Sequence, residues 1–188
     1  MRTVVVLFLI LTALLLLGAS SRNIAPDAVS RATIWNSHVG ALVLLQDGKV
    51  PPQDVDAQPF TWETKGILVF VWEEPLELEK LRIYVGDIGN NYEVRSYLGG
   101  RLDESGTLRE PEGERTALVA ADSRVVDQWI EVLFPEGTTA DNIELWTLGP
   151  TVFYEVEIYV RGADATVVER LSWGRVKIGR GKGRLDRR

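Results

Sequence analysis

The residues able to do chemistry in this chain are few, and their types restrict what it can be. There is one histidine, His38, and no cysteine. Thiolate zinc sites, cysteine nucleophiles, disulfides and thiol redox chemistry are therefore excluded, as is any metal site that needs two imidazoles. A serine nucleophile would have His38 as its one candidate base, and no G-x-S-x-G elbow is present. Carboxylates cluster at Glu73, Glu74, Glu77 and Glu79, and again at Glu110, Glu112 and Glu114. Glycoside hydrolysis needs two carboxylates facing one bond across a gap of about 5–10 Å. Both clusters fall in polar connectors instead, so no enzyme is expected. The run GRGKGR at residues 179–184 lacks the preceding strand and following helix that aim backbone N–H groups at a phosphate.

What remains are side chains that bind. Trp35, Asn36 and His38 lie ahead of the first strands, Asn90, Asn91 and Tyr92 follow Gly89, and Arg101 follows Gly99 and Gly100. Aromatic faces beside amide groups at turn positions are the combination that holds a sugar ring: a flat apolar platform with a few fixed hydrogen-bonding groups. Each also has a structural alternative. Asn and Gly make turns, Arg101 can be a plain surface charge, and a domain with six tryptophans must bury most of them.

Strands must position these residues. Residues 66–72 (GILVFVW) form a short continuous apolar run, suited to a strand covered on both faces. Alternation then marks strands at residues 81–85, 92–98, 129–134 and 142–148, and the longest alternating run places Val152, Tyr154, Val156, Ile158 and Val160 on one face. Residues 32–35, 41–45 and 166–171 are weaker strand candidates, residues 117–128 offer one short helical turn, and residues 103–114 read as a solvated loop. Short strands punctuated by turns about every ten residues predict an all-β sandwich.

Length, 188 residues, allows one such domain. The net charge of −6 is an average of unlike parts. Arg2 precedes an uncharged stretch from residue 3 to 21, and small residues Gly18, Ala19 and Ser20 close it. This is the three-part pattern of an export signal, with cleavage after Ser20; left uncleaved, residues 3–21 would anchor the chain in a membrane. Residues 21–173, the expected domain, carry −13, whereas residues 174–188 hold seven basic residues against Asp186 alone, a basic flexible tail of +6. Nucleic acid is not an expected partner of so acidic a body. The tail is suited to an anionic surface, with a plain solubilising end as its alternative. Location is expected to be secreted, periplasmic or extracellular.

The order of pieces from residue 41 to 160 resembles the galactose-binding-like β-sandwich, within it the discoidin or coagulation-factor type C group and many bacterial carbohydrate-binding modules. The pieces are Leu45-Gln46-Asp47-Gly48, Thr61-Trp62, Ile67-Leu68-Val69-Phe70-Val71, Glu73-Glu74-Pro75, Leu81-Arg82-Ile83-Tyr84-Val85, Tyr92-Glu93-Val94 and Tyr154-Glu155-Val156-Glu157-Ile158-Tyr159. The resemblance implies a jelly-roll β-sandwich, here preceded by the hydrophobic signal helix. It also implies a structural calcium where the Asp-Gly loop meets the last strand, with Asp47 and Glu155 at the matching positions. Asp54, Asp56 and Thr61 lie in the same loop, and Glu157 shares the strand face of Glu155. Calcium takes six to eight oxygens, and a glycine beside a ligand lets carbonyls turn inward; the alternative is an ordinary Asp-Gly turn and a solvated Glu155.

The expectation is thus an exported, non-catalytic domain that recognises carbohydrate or a glycosylated surface. The alternative is a structural or adhesion protein that binds a protein or membrane surface without a sugar site.

Overall fold

Ten strands form in the computed structural model, which describes residues 21–32, 38–99, 113–123 and 125–162. They are β1 (Arg22–Asn23), β2 (Val29–Ala32), β3 (His38–Val39), β4 (Phe60–Trp62), β5 (Gly66–Val85), β6 (Asn90–Leu98), β7 (Glu114–Ser123), β8 (Gln128–Leu133), β9 (Thr139–Thr147) and β10 (Thr151–Val160). The pieces belong to a compact unit running from Ser21 to Arg161. Residues 1–20, the expected signal, and residues 163–188, which include the 166–171 strand candidate and the basic tail, lie outside the described residues.

Two antiparallel sheets face each other. One has the order β3-β4-β10-β5-β8, with β1 beside β10; the other has the order β2-β5-β9-β6-β7. Strand β5 belongs to both. Its first half, through Val71, pairs with β2 and β9, and its second half, from Leu78, pairs with β10 and β8. The sequence pattern reads these halves as two strands separated by Glu73-Glu74-Pro75. In the structure they are continuous, with a register shift between Val71 and Leu76. Pro75 falls in that crossing, where its missing N–H spoils no regular ladder.

Alternation explains the core. Val94 and Ser96 on β6, Ile143 and Leu145 on β9, Leu81 and Ile83 on β5, and Val156 and Ile158 on β10 all point inward and are fully buried. Residues 66–72 are buried on both faces, as the apolar run predicts: Leu68 and Phe70 enter the sandwich, while Ile67, Val69 and Val71 form a separate outer cluster against which Trp146 packs. At the edge of the core Trp62 bridges the sheets. Its ring lies so close to Gly66 that a Cβ there would sit 2.3 Å from it.

Three local expectations are corrected. Residues 41–45 do not form a strand; Leu42–Gln46 is a 3-10 turn in which Leu45 is buried and Val43 exposed. Its apolar residues do not alternate, and the Gln46 amide fastens it by donating to the Ala25 carbonyl at 2.7 Å. Residues 117–123 and 125–128 are not helical. Ala117 and Val119 pair with Ser96 and Val94 in β7, so the alanine-rich segment follows its neighbouring strand rather than its own propensity. The first weak strand is shifted too, ending at Ala32, and residues 33–37 are not described.

Candidate functional site

Strand register puts Arg22 beside Val160 at one end of the sandwich. At the other end lie the turns 63–65, 86–89, 125–127 and 148–150 and the first residue of β3. This second end gathers most of the candidate binding residues that are described.

His38 opens β3 and is exposed. Its imidazole stacks on Phe60, with ring centroids 4.7 Å apart, and meets the edge of Trp62 at 6.3 Å. Phe60 and Trp62, themselves edge to face at 5.0 Å, are completely buried. An exposed polar ring is thereby held on a rigid apolar mount. Trp62 pairs with Thr151, the first residue of β10, and the Asn90 amide donates to the neighbouring Pro150 carbonyl at 3.0 Å. That short path carries the same end of the sandwich from His38 to Asn90.

Asn90 also accepts the Asn91 N–H through its side-chain oxygen at 2.7 Å, so its amide orientation is set by the turn. One amide hydrogen and one lone pair remain for a ligand. The Asn91 carbonyl accepts the Leu148 N–H at 3.3 Å, while its side-chain oxygen is buried without a hydrogen-bond partner. Tyr92 has a different place. It is 1% exposed, its ring lies 5.6 Å from Phe153, and its hydroxyl meets Thr151 Oγ1 at 3.3 Å. Burial pushes its phenol pKa up. Tyr92 therefore supports the end from beneath and presents no face to a ligand. Trp35, Asn36 and Arg101 lie outside the described residues, and the strands flanking the 100–112 segment end at the opposite end of the sandwich.

One residue at the loop end is invisible in the sequence pattern. Asp127 is exposed and takes a left-handed backbone conformation, φ 54°, uncommon outside glycine. Its N–H donates to the Gly86 carbonyl at 3.0 Å, and its carbonyl accepts the Tyr84 hydroxyl at 3.1 Å. Gly86 is required there because a Cβ would come within 2.6 Å of Val152. With its backbone so fixed, Asp127 presents an exposed carboxylate, an acceptor for ligand hydroxyls.

The residues proposed for a cation occupy the loop of residues 47–56 and the face of β10. Glu155 is 2% exposed, covered by the loop, and Gly48 donates its backbone N–H to Glu155 Oε2 at 3.0 Å. Burial is the main cause that pushes the Glu155 carboxyl up to about 7, opposed by the backbone hydrogen bonds of Gly48 and Asp47, and reinforced by the charges of Asp47 and Glu157. Asp47 accepts the Lys49 N–H at 2.9 Å and Asp54 accepts the Val50 N–H at 3.0 Å. Asp56 pairs with the Lys49 ammonium. Thr61 sits in β4 between Val39 and Val152. Glu157 accepts from Arg82 at 2.8 Å and from the Tyr159 hydroxyl at 3.1 Å, and the Arg82 guanidinium lies 4.2 Å over Trp129. Among the described residues no group of three or more His, Cys, Asp or Glu side chains is placed to hold a metal ion. Toward Glu155 Oε2 the loop presents the Gly48 N–H, a hydrogen where a cation would need an oxygen.

The sandwich is similar to solved carbohydrate-binding modules. One is the family 32 module of NanJ from Clostridium perfringens in complex with galactose, at 12% identity and a TM-score of 0.53, covering 74% of this chain and 99% of that one. A second is a mutant lectin binding domain of lectinolysin complexed with Lewis b, at 18% identity and a TM-score of 0.54, covering 76% and 98%. A third is a family 32 module from Clostridium perfringens in complex with GalNAc-β-1,3-galactose, at 14% identity and a TM-score of 0.50, covering 73% and 99%. No family model and no curated protein matches the sequence. The fold is the galactose-binding-like jelly-roll β-sandwich that the order of sequence pieces implies.

Proposed function

We propose that this chain is an exported, non-catalytic binding domain that recognises carbohydrate or a glycosylated surface through the loop end carrying His38, Asn90 and Asp127. The observation that carries the reading is the convergence of His38, mounted on Phe60 and Trp62, with the turn-fixed Asn90 at one end of the fold. An imidazole and an amide with free donors and acceptors at one end of the sandwich match the hydroxyls of a pyranose. The sugars bound by the structurally similar modules support the same ligand class. Of the carboxylates considered for hydrolysis, Glu73, Glu74 and Glu77 stand exposed where β5 crosses between sheets.

Export rests on residues 1–20, and location outside the cytoplasm follows from it. Among the described residues no helix is long and apolar enough to cross a membrane. The basic tail, residues 174–188, is suited to an anionic surface by its charge alone.

A second reading has its own support. Ile88, Val126 and Leu148 are 38%, 43% and 57% exposed on the turns of the same end. Apolar side chains at turn tips suit a protein or membrane surface.

A glycan array separates the two. Carbohydrate recognition predicts retention of specific glycans, with His38→Ala and Asn90→Ala each weakening binding roughly 5- to 100-fold, the worth of one or two ligand hydrogen bonds. No retained glycan, together with binding to vesicles or a protein that Leu148→Ser and Ile88→Ser abolish, would establish the second reading instead.

A further inference from the structure

The loop of residues 41–59 must be fixed to the sandwich, and the resemblance assigns that work to calcium. The chemistry of the groups present points elsewhere. Each described aspartate of the loop is engaged by a hydrogen donor from the loop itself: Asp47 by the Lys49 N–H, Asp54 by the Val50 N–H, and Asp56 by the Lys49 ammonium. Across from them the buried Glu155 accepts a loop N–H from 107 residues away in sequence, at a glycine whose φ of +76° turns that N–H toward β10. Buried Leu45 and the Gln46 bond to Ala25 hold the preceding turn.

We propose that this loop is locked to β10 without a metal, by the buried Glu155 carboxyl accepting the Gly48 N–H. Calcium at Glu155 would require the loop to replace the Gly48 N–H there with an oxygen, at the cost of a bond already made. The neutral form of Glu155 suffices, because its carbonyl oxygen still accepts the N–H; its raised pKa agrees with that.

The test is the melting temperature of the full chain in millimolar calcium and in excess chelator, with calcium analysis of the purified protein. The lock predicts the same melting temperature in both and no stoichiometric calcium. Glu155→Gln keeps the acceptor and melts at or above the native protein near neutral pH, equally in calcium and chelator. Glu155→Ala loses the acceptor and, in mildly acidic buffer, melts ~2–8 °C lower, again equally in both. Calcium retained at about one per chain, or a chelator-induced fall of several degrees that Glu155→Gln abolishes, would overturn the proposal. So would a Glu155→Ala protein as stable as the native one. None of these readouts depends on sugar binding.

Discussion

Trp62→Ala is expected to destabilise the sandwich by ~3–5 kcal/mol, the range for removing a large buried aromatic. For a domain of this size that is about 6–20 °C in melting temperature. The expectation follows from position. Trp62 is fully buried, packs edge to face with Phe60, and covers Gly66 where the sheets come together at the loop end. No neighbour can collapse into the space cheaply, because Gly66 has no side chain to offer. Trp62→Phe is expected to recover most of the loss. It keeps an aromatic ring and removes the indole N–H, which is buried without a partner. An unpaired buried donor costs about 1–3 kcal/mol, so its removal offsets part of the lost volume. Urea denaturation of both variants checks the ordering; a Trp62→Phe protein no more stable than Trp62→Ala would contradict it. Trp62→Ala also withdraws support from the His38 ring, so its glycan binding should fall further than that of Leu81→Ala, a core truncation in the other half of β5.

The second large effect is a dependence of stability on pH that runs opposite to common carboxylate behaviour. Glu155 titrates near 4.5 when unfolded and at about 7 in the fold, burial being the main cause. Between those values the native state holds a proton that the unfolded state has released. Stability therefore falls as pH rises through this window, by about 3 kcal/mol at most, and this contribution is flat above it. Asp56 acts in the other sense: its hydrogen bond to Lys49 lowers its pKa, giving stability that is lost in acid. Both groups of that pair are exposed, so its effect is small. Denaturation from mildly acidic to mildly alkaline pH should show the fall in the native chain and not in Glu155→Gln. Equal pH dependence in the two proteins would remove Glu155 as its source.

How much of this was legible in the sequence differs by element. Strands β8, β9 and β10 are readable because their apolar residues alternate, although only β8 keeps one face open; β9 and β10 are covered on both. The same rule already places Tyr92 with Val94 and Ser96 on the inward face, and the structure puts it in the core. Glu155 is the instructive failure. Alternation correctly turns it away from the sandwich interior, but a loop over a hundred residues earlier covers it, and no local pattern records a contact of that span. The continuity of β5 was hidden by its polar crossing, and β7 by alanines whose helical preference yields to pairing with β6. Asp127 carries no signal at all; its backbone conformation depends on Gly86 and Tyr84, distant in sequence.

The central claim, recognition of a sugar at the loop end, is tested most directly by titrating isotopically labelled protein with galactose- and N-acetylgalactosamine-terminated oligosaccharides and following backbone amide shifts. The account predicts saturable shifts concentrated at His38, residues 63–65, 86–91, 125–127 and 148–150, lost in His38→Ala. Saturable shifts confined to the opposite end or to the outer sheet faces, or no shift with any glycan the array retains, would contradict it.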